Sequence, residues 1–214
     1  MKGQLEQYLL GLLPPDNEWV SDLEKQALHD HVPIMDKISV HFLMQLVSIS
    51  KPQRILEVGT AIGYSALRML EAYPSTSIVT IEKDACRYTQ AIENIKRLQQ
   101  DNHIQVIYGD AKEELSSLSS NEEKFDFVFI DAAKGEYQQY FEQASSLLTL
   151  DGLIISDNIL FRGYVAGDQS PPHRYKNMIK KIRSYNEWLV NLADFTTIIV
   201  PIGDGLAISK KCLE

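Results

Sequence analysis

Phe125-Asp126-Phe127-Val128-Phe129-Ile130-Asp131-Ala132-Ala133-Lys134 and Gly152-Leu153-Ile154-Ile155-Ser156-Asp157-Asn158 hold the residue types best suited to chemistry in this chain. Each is an apolar, β-branched or aromatic run ending in oxygen-bearing side chains. A buried parallel strand delivers polar groups in this way to the carboxyl edge of its sheet, where open α/β folds bind ligands. Asp131, Asp157 and Asn158 offer a hard, all-oxygen donor set suited to Mg²⁺, Mn²⁺ or Ca²⁺. Lys134 lies three residues past Asp131. A divalent cation disfavours the ammonium form of a nearby lysine, which is the direction a general base requires.

These segments need a sheet to position them, and the chain supplies one. From residue 54 onward, strand-like runs alternate with helical patterns in the rhythm of a doubly wound parallel sheet, an α/β fold. Strands are expected at 54–58, 77–81, 104–108, 125–130 and 152–156. Helices are expected between them at about 64–72, 84–100, 112–118 and 137–148. A polar loop with Gly and Pro, from Phe161 to Pro172, leads into a basic helix ending near Leu189. Runs at 195–201 and 206–210, joined by Gly203-Asp204-Gly205, read as an antiparallel hairpin. Residues 1–53 read as helical, broken at Pro14-Pro15 and Pro33, and form a cap over the sheet or its ligand edge. The expectation is one domain over 1–214, with a cap at 1–53 and a core at 54–214.

Composition narrows the function classes. With 44% hydrophobic residues the chain can bury a full core, yet no apolar run reaches the roughly 18 residues of a membrane span. The first seven residues carry no signal-peptide apolar core, so a cytoplasmic protein is expected. Cys86 and Cys212 have no metal-ligand spacing and form no framework of pairs. A net charge of −8 argues against general nucleic-acid binding. The exception is local: Arg162, Arg174, Lys176, Lys180, Lys181 and Arg183 face one acid, Asp168. That segment reads either as a solvated helix face or as a basic patch.

The first strand leads into Glu57-Val58-Gly59-Thr60-Ala61-Ile62-Gly63-Tyr64-Ser65, where two glycines allow a tight turn and close approach to a ligand. Ala61 stands where a pyrophosphate-binding G-x-G-x-x-G turn has its middle glycine. A ligand without a pyrophosphate tolerates that. Together with the terminal hairpin, Ala61 disfavours a nicotinamide-dependent oxidoreductase. Glu82, ending the second strand, can accept both hydrogen bonds of a ribose diol, and Gly109-Asp110-Ala111 ends the third strand, where an adenine would lie.

The ordered set E-V-G-T-A-I-G-Y-S, I-E, G-D-A, F-I-D-A-A-K-G, S-D-N and P-I-G-D-G-L-A-I-S-K-K, spread over roughly residues 33–211, resembles the metal-dependent class I O-methyltransferases that use S-adenosylmethionine. Catechol and caffeoyl-CoA O-methyltransferases belong to that group. Within it the chain is most similar to the bacterial tRNA 5-hydroxyuridine methyltransferases, which form 5-methoxyuridine at the anticodon wobble position. That similarity rests on H-V-P-I-M-D-K at 31–37, A-I-G-Y-S-A, D-N-I-L-F-R-G at 157–163 and Tyr185-Asn186-Glu187-Trp188-Leu189, while Gln169-Ser170-Pro171-Pro172-His173 interrupts the basic run.

The resemblance implies that Asp131, Asp157 and Asn158 hold Mg²⁺ (or Mn²⁺ or Ca²⁺) and that Asp131 also lies near the donor's methionine part. It implies Glu82 at the ribose, Asp110 and Ala111 beside the adenine, and Glu57, Gly59, Ser65 and Met35 around the amino-acid end. Lys134 falls at the general-base position, and a homodimer with N-terminal helices at its interface is implied. A metal so placed would chelate two vicinal acceptor oxygens. Both 5-hydroxyuridine in tRNA and a small catechol-like phenol carry such a pair.

Overall fold

The computed structural model describes residues 2–167 and 171–212; Asp168, Gln169 and Ser170 of the interrupted basic run lie outside the described residues. Three helices, α1 (Lys2–Leu10), α2 (Glu18–His29) and α3 (Lys37–Ser50), precede the sheet. They are separated by Pro14-Pro15 and by Pro33, because proline cannot donate within a helix and restricts the residue before it. The core then alternates: β1 (Arg54–Val58), α4 (Tyr64–Ala72), β2 (Ser77–Glu82), α5 (Ala85–Arg97), β3 (Ile104–Tyr108) and α6 (Ala111–Ser120). It continues with β4 (Phe125–Ile130), α7 (Tyr137–Leu147), β5 (Leu148–Ser156), a short 3₁₀ turn, α8 (Lys176–Val190), β6 (Phe195–Val200) and β7 (Leu206–Lys211).

The seven strands form one sheet in the order β3-β2-β1-β4-β5-β7-β6. β1 to β5 pair in parallel, and β7 runs antiparallel to both of its neighbours. The expected hairpin is therefore present, inserted with β7 against β5. Its turn comes back to the ligand edge, which gives the 203–205 segment a place in the site. β5 starts four residues before the expected Gly152: Leu148 pairs with Phe125, and a register shift lies between Phe125 and Phe127. Asp151, in the left-handed region at φ 62°, marks the irregularity that conceals this early start from pattern reading.

Both sheet faces are covered, which explains the continuous apolar strands. On one face Val128 and Ile130 of β4 pack with Leu56, Val58 and Ile154 against α6, α7 and α8 through Leu115, Phe141, Ile182 and Leu189. On the other, Phe127 and Phe129 pack with Ile55 and Ile155 against α2 to α5 through Leu23, Leu43, Leu67 and Ile95. Parallel pairing of β1 to β5 brings the carboxyl ends of these five strands, with Glu82, Asp131 and Asp157, to one rim. Among the described residues no helix is long and apolar enough to cross a membrane.

Candidate active site

Strand order reverses at β1, which pairs with β2 on one side and β4 on the other, and this is the switch point where open α/β sheets bind ligands. A cavity of about 1010 Å³ opens there. Its walls include Met35, Gly59, Ser65, Glu82, Ala111, Asp131, Lys134, Asp157 and Asn158, nine of the predicted site residues. Gly59 has φ 101°, and a Cβ on it would lie 2.1 Å from the Asp131 carbonyl oxygen, so the turn after β1 and the end of β4 touch through backbone alone. Ala61 takes the left-handed conformation usually left to glycine, with φ 47°, and its amide donates to Glu82 Oε2 at 2.8 Å. The other Glu82 oxygen accepts from the Asp84 amide at 2.8 Å. Glu82 is thereby fixed at the cavity edge.

Two predicted residues do not line this cavity. Asp110 is the N-cap of α6, accepting from the Lys112 amide at 3.0 Å. Glu57 is fully buried behind the wall, where Ser65 Oγ and Thr80 Oγ1 each donate to it at 2.5 Å. Burial pushes its carboxyl up to about 7, against the opposing pull of those two hydrogen bonds. A carboxyl raised in the folded state favours the protonated native form, so its contribution to stability is lost as pH rises from about 4.5 to 7. Relative to Glu57→Gln, the wild type should lose about 2.5 kcal/mol between pH 5 and pH 8, measured by urea unfolding at each pH. Parallel curves for the two proteins would show that Glu57 does not titrate there.

At the far end of the cavity the Asp131 amide donates to Val58 O and the Asp157 amide to Ile130 O, both at 3.0 Å, so three adjacent strands fix the two acids. Asp157 is 2% exposed. Burial first, and the neighbouring Asp131 charge second, push its carboxyl well above the usual range. Burial also raises Asp131, opposed by the Lys134 charge. Asn158 sits at φ 57° with its Oδ1 accepting from Lys134 Nζ. Tyr137 OH donates to the Asp157 carbonyl at 2.9 Å, tying α7 to this corner. Among the described residues no group of three or more His, Cys, Asp and Glu side chains converges; the donor set here is two carboxylates and one carboxamide.

Pattern reading missed several wall residues. Thr60, Tyr64, Arg87 and Tyr140 lie on helices or in the glycine turn, and Asp204 lies in the β6–β7 turn. Leu5, Glu6 and Leu9 of α1 also reach the cavity. Gly203-Asp204-Gly205 carries only a turn signal in the sequence, since Asp and Gly are both ordinary turn formers.

Of the basic segment, Arg162 is exposed at the cavity wall, and Arg174, Lys176 and Lys180 are exposed. Arg183 is committed to the backbone, donating to Val165 O at 2.8 Å and Tyr164 O at 3.1 Å. Lys181 donates to Gly135 O at 3.4 Å.

The O-methyltransferase family model matches residues 14–212. Catechol O-methyltransferase of Niastella koreensis is 32% identical over 78% of this chain and 77% of its own length. A Staphylococcus aureus protein provisionally described as a caffeoyl-CoA O-methyltransferase is 33% identical and superimposes with a TM-score of 0.90 over 97% of this chain and 99% of its own. A Bacillus cereus O-methyltransferase, solved in complex with SAH, is 25% identical with a TM-score of 0.85 over 97% of both chains. A Rossmann-like class I methyltransferase sheet, a ligand cavity at its switch point and a match over nearly the whole length lead to one assignment: the chain belongs to the O-methyltransferase family.

Proposed function

We propose that this protein transfers the methyl group of S-adenosylmethionine to one of two vicinal oxygens of its acceptor, and that the acceptor is 5-hydroxyuridine at the wobble position of tRNA. The observation that carries the reaction is the convergence of Asp131, Asp157, Asn158 and Lys134 on the cavity that the β1 glycine turn enters. The Bacillus cereus relative, solved with SAH, supports the donor. The donor end is formed by Gly59 and Ser65 with Glu57 behind them, by Glu82 at the ribose, and by Ala111, with the helix cap Asp110, beside the adenine. Met35 closes that end from the N-terminal segment.

The donor set fits a hard divalent cation. Asp131 and Asp157 are adjacent carboxylates, Asp157 buried and Asp131 half-buried, whose mutual repulsion one ammonium, Lys134, offsets only in part. A cation bound by Asp131, Asp157 and Asn158 would supply Lewis-acid stabilisation of the acceptor oxygens. Transfer is an in-line displacement: the acceptor oxygen forms the new O–C bond, the S–C bond breaks, and S-adenosylhomocysteine leaves. The acceptor proton passes to Lys134 Nζ, which takes it as the neutral amine that a bound divalent cation would favour over the ammonium. Holding the reactants in line can contribute several kcal/mol, up to roughly 7–11 in ideal cases.

Arg162, exposed at the cavity wall, and the exposed Arg174, Lys176 and Lys180 of the following basic segment support the RNA acceptor. Resemblance to catechol O-methyltransferase supports a second reading, a small catechol-like phenol at the same atoms. Neutralising Arg174, Lys176 and Lys180 separates the two. On the RNA reading, tRNA methylation falls tenfold or more, and its salt dependence flattens by about 2 in log–log slope while catechol turnover is unchanged. Unchanged tRNA methylation refutes the role of these cations. Exposed Leu5, Tyr8, Leu12, Leu28 and Ile49 on the N-terminal segment support the homodimer that the resemblance implies.

A further inference from the structure

The segment after β5 takes an unusual path along the cavity wall. Asn158, Phe161, Arg162 and Gly163 all have positive φ, at 57°, 31°, 54° and 76°. A bulky aromatic in that region is strained, and such a conformation persists only where its surroundings over-determine it. The surroundings here are two residues of the β6–β7 turn. Gly205 O accepts from the Ile159 amide at 3.0 Å, and Asp204 O accepts from the Leu160 and Phe161 amides at 2.8 and 3.0 Å. Asp204 Oδ1 accepts from the Arg162 amide at 3.0 Å. Four consecutive amides are thus received by one turn.

That turn is itself held in place. A Cβ on Gly203 would lie 2.1 Å from Ser39 Oγ and 2.2 Å from Asp36 Oδ2, and one on Gly205 would lie 2.4 Å from Leu160. The turn is therefore wedged between the N-terminus of α3 and the strained segment, with no space for a side chain at either glycine. Phe161, Arg162 and Gly163 line the cavity beside Asn158 and Asp204, and the Phe161 ring meets Tyr175 edge-on at 5.2 Å.

We infer that Asp204 is a positioning residue for the acceptor end of the site: its carboxylate, by receiving the Arg162 amide, holds Phe161 and Arg162 in the left-handed path that sets them on the cavity wall next to Asn158. Sequence reading finds only a turn former at this position. The role acts through the segment and is independent of which vicinal-oxygen acceptor the enzyme uses.

The test compares Asp204→Ala with Asp204→Asn, whose carboxamide oxygen can accept the same amide. Three quantities are measured: hydrogen exchange of the 158–163 segment, S-adenosylmethionine affinity by calorimetry, and KM for catechol and for 5-hydroxyuridine-bearing tRNA. Asp204→Ala should speed exchange of the segment about tenfold and raise KM about tenfold for each acceptor the wild type turns over, with donor affinity within twofold. Asp204→Asn should stay within about twofold of wild type throughout. Unchanged exchange in Asp204→Ala, equal damage in both variants, or a matching loss of donor affinity would each overturn the inference. A wild type that turns over neither acceptor refutes the proposed substrates instead, and segment exchange with donor affinity still decides the role of Asp204.

Discussion

Lys134→Ala should lower kcat by about 10²–10⁴ and leave S-adenosylmethionine affinity within twofold of wild type, measured by single-turnover kinetics and calorimetry. Lys134 lines the cavity and donates to Asn158 Oδ1, in the corner where Asp131 and Asp157 also lie. Losing a base acts on the chemical step, so kcat and kcat/KM should fall together. Lys134→Arg makes the test sharper. A guanidinium keeps the charge but does not give up its proton, so a base role predicts that Arg fails to restore turnover. Recovery in Lys134→Arg would make this residue an electrostatic partner of the two acids.

Asp157→Asn is expected to reduce turnover by 10³ or more and to have the opposite effect on the fold. Asp157 is a buried carboxylate beside the half-buried carboxylate of Asp131. Replacing one with a neutral isostere removes like-charge repulsion, so the metal-free variant should unfold at a higher temperature than the metal-free wild type. Magnesium should then stabilise the wild type, by about 2.7 kcal/mol at a hundredfold excess over its Kd, and leave Asp157→Asn unmoved. A variant that is active in a chelator, or equally stabilised by magnesium, would sink the metal assignment.

The parts of this site that the sequence revealed are those that local pattern controls. Phe125–Ile130 and the end of β5 are apolar runs that only a doubly covered sheet explains, and they place Asp131, Asp157 and Asn158 at one rim without any long-range information. Gly59 and Gly63 mark the turn after β1 because their backbone conformations require glycine. Pattern does not report what lies behind a strand end. Glu57 is next to the cavity residue Val58 in β1 yet points into the interior, toward Thr80 and Ser65. Nor does it report tertiary hydrogen bonds: the left-handed path at Phe161 and Arg162 follows from amides received by a turn some 40 residues away. The reach of α1 into the cavity through Leu5 and Leu9 likewise depends on packing and not on its own sequence.

The most direct measurement is nucleoside mass spectrometry of 5-hydroxyuridine-bearing tRNA incubated with the protein and S-adenosylmethionine, with Mg²⁺ or with a chelator. 5-Methoxyuridine should appear with Mg²⁺ and be absent with the chelator. No 5-methoxyuridine from protein shown to bind the donor would contradict the RNA acceptor, and product formed equally in the chelator would contradict the role given to Asp131, Asp157 and Asn158.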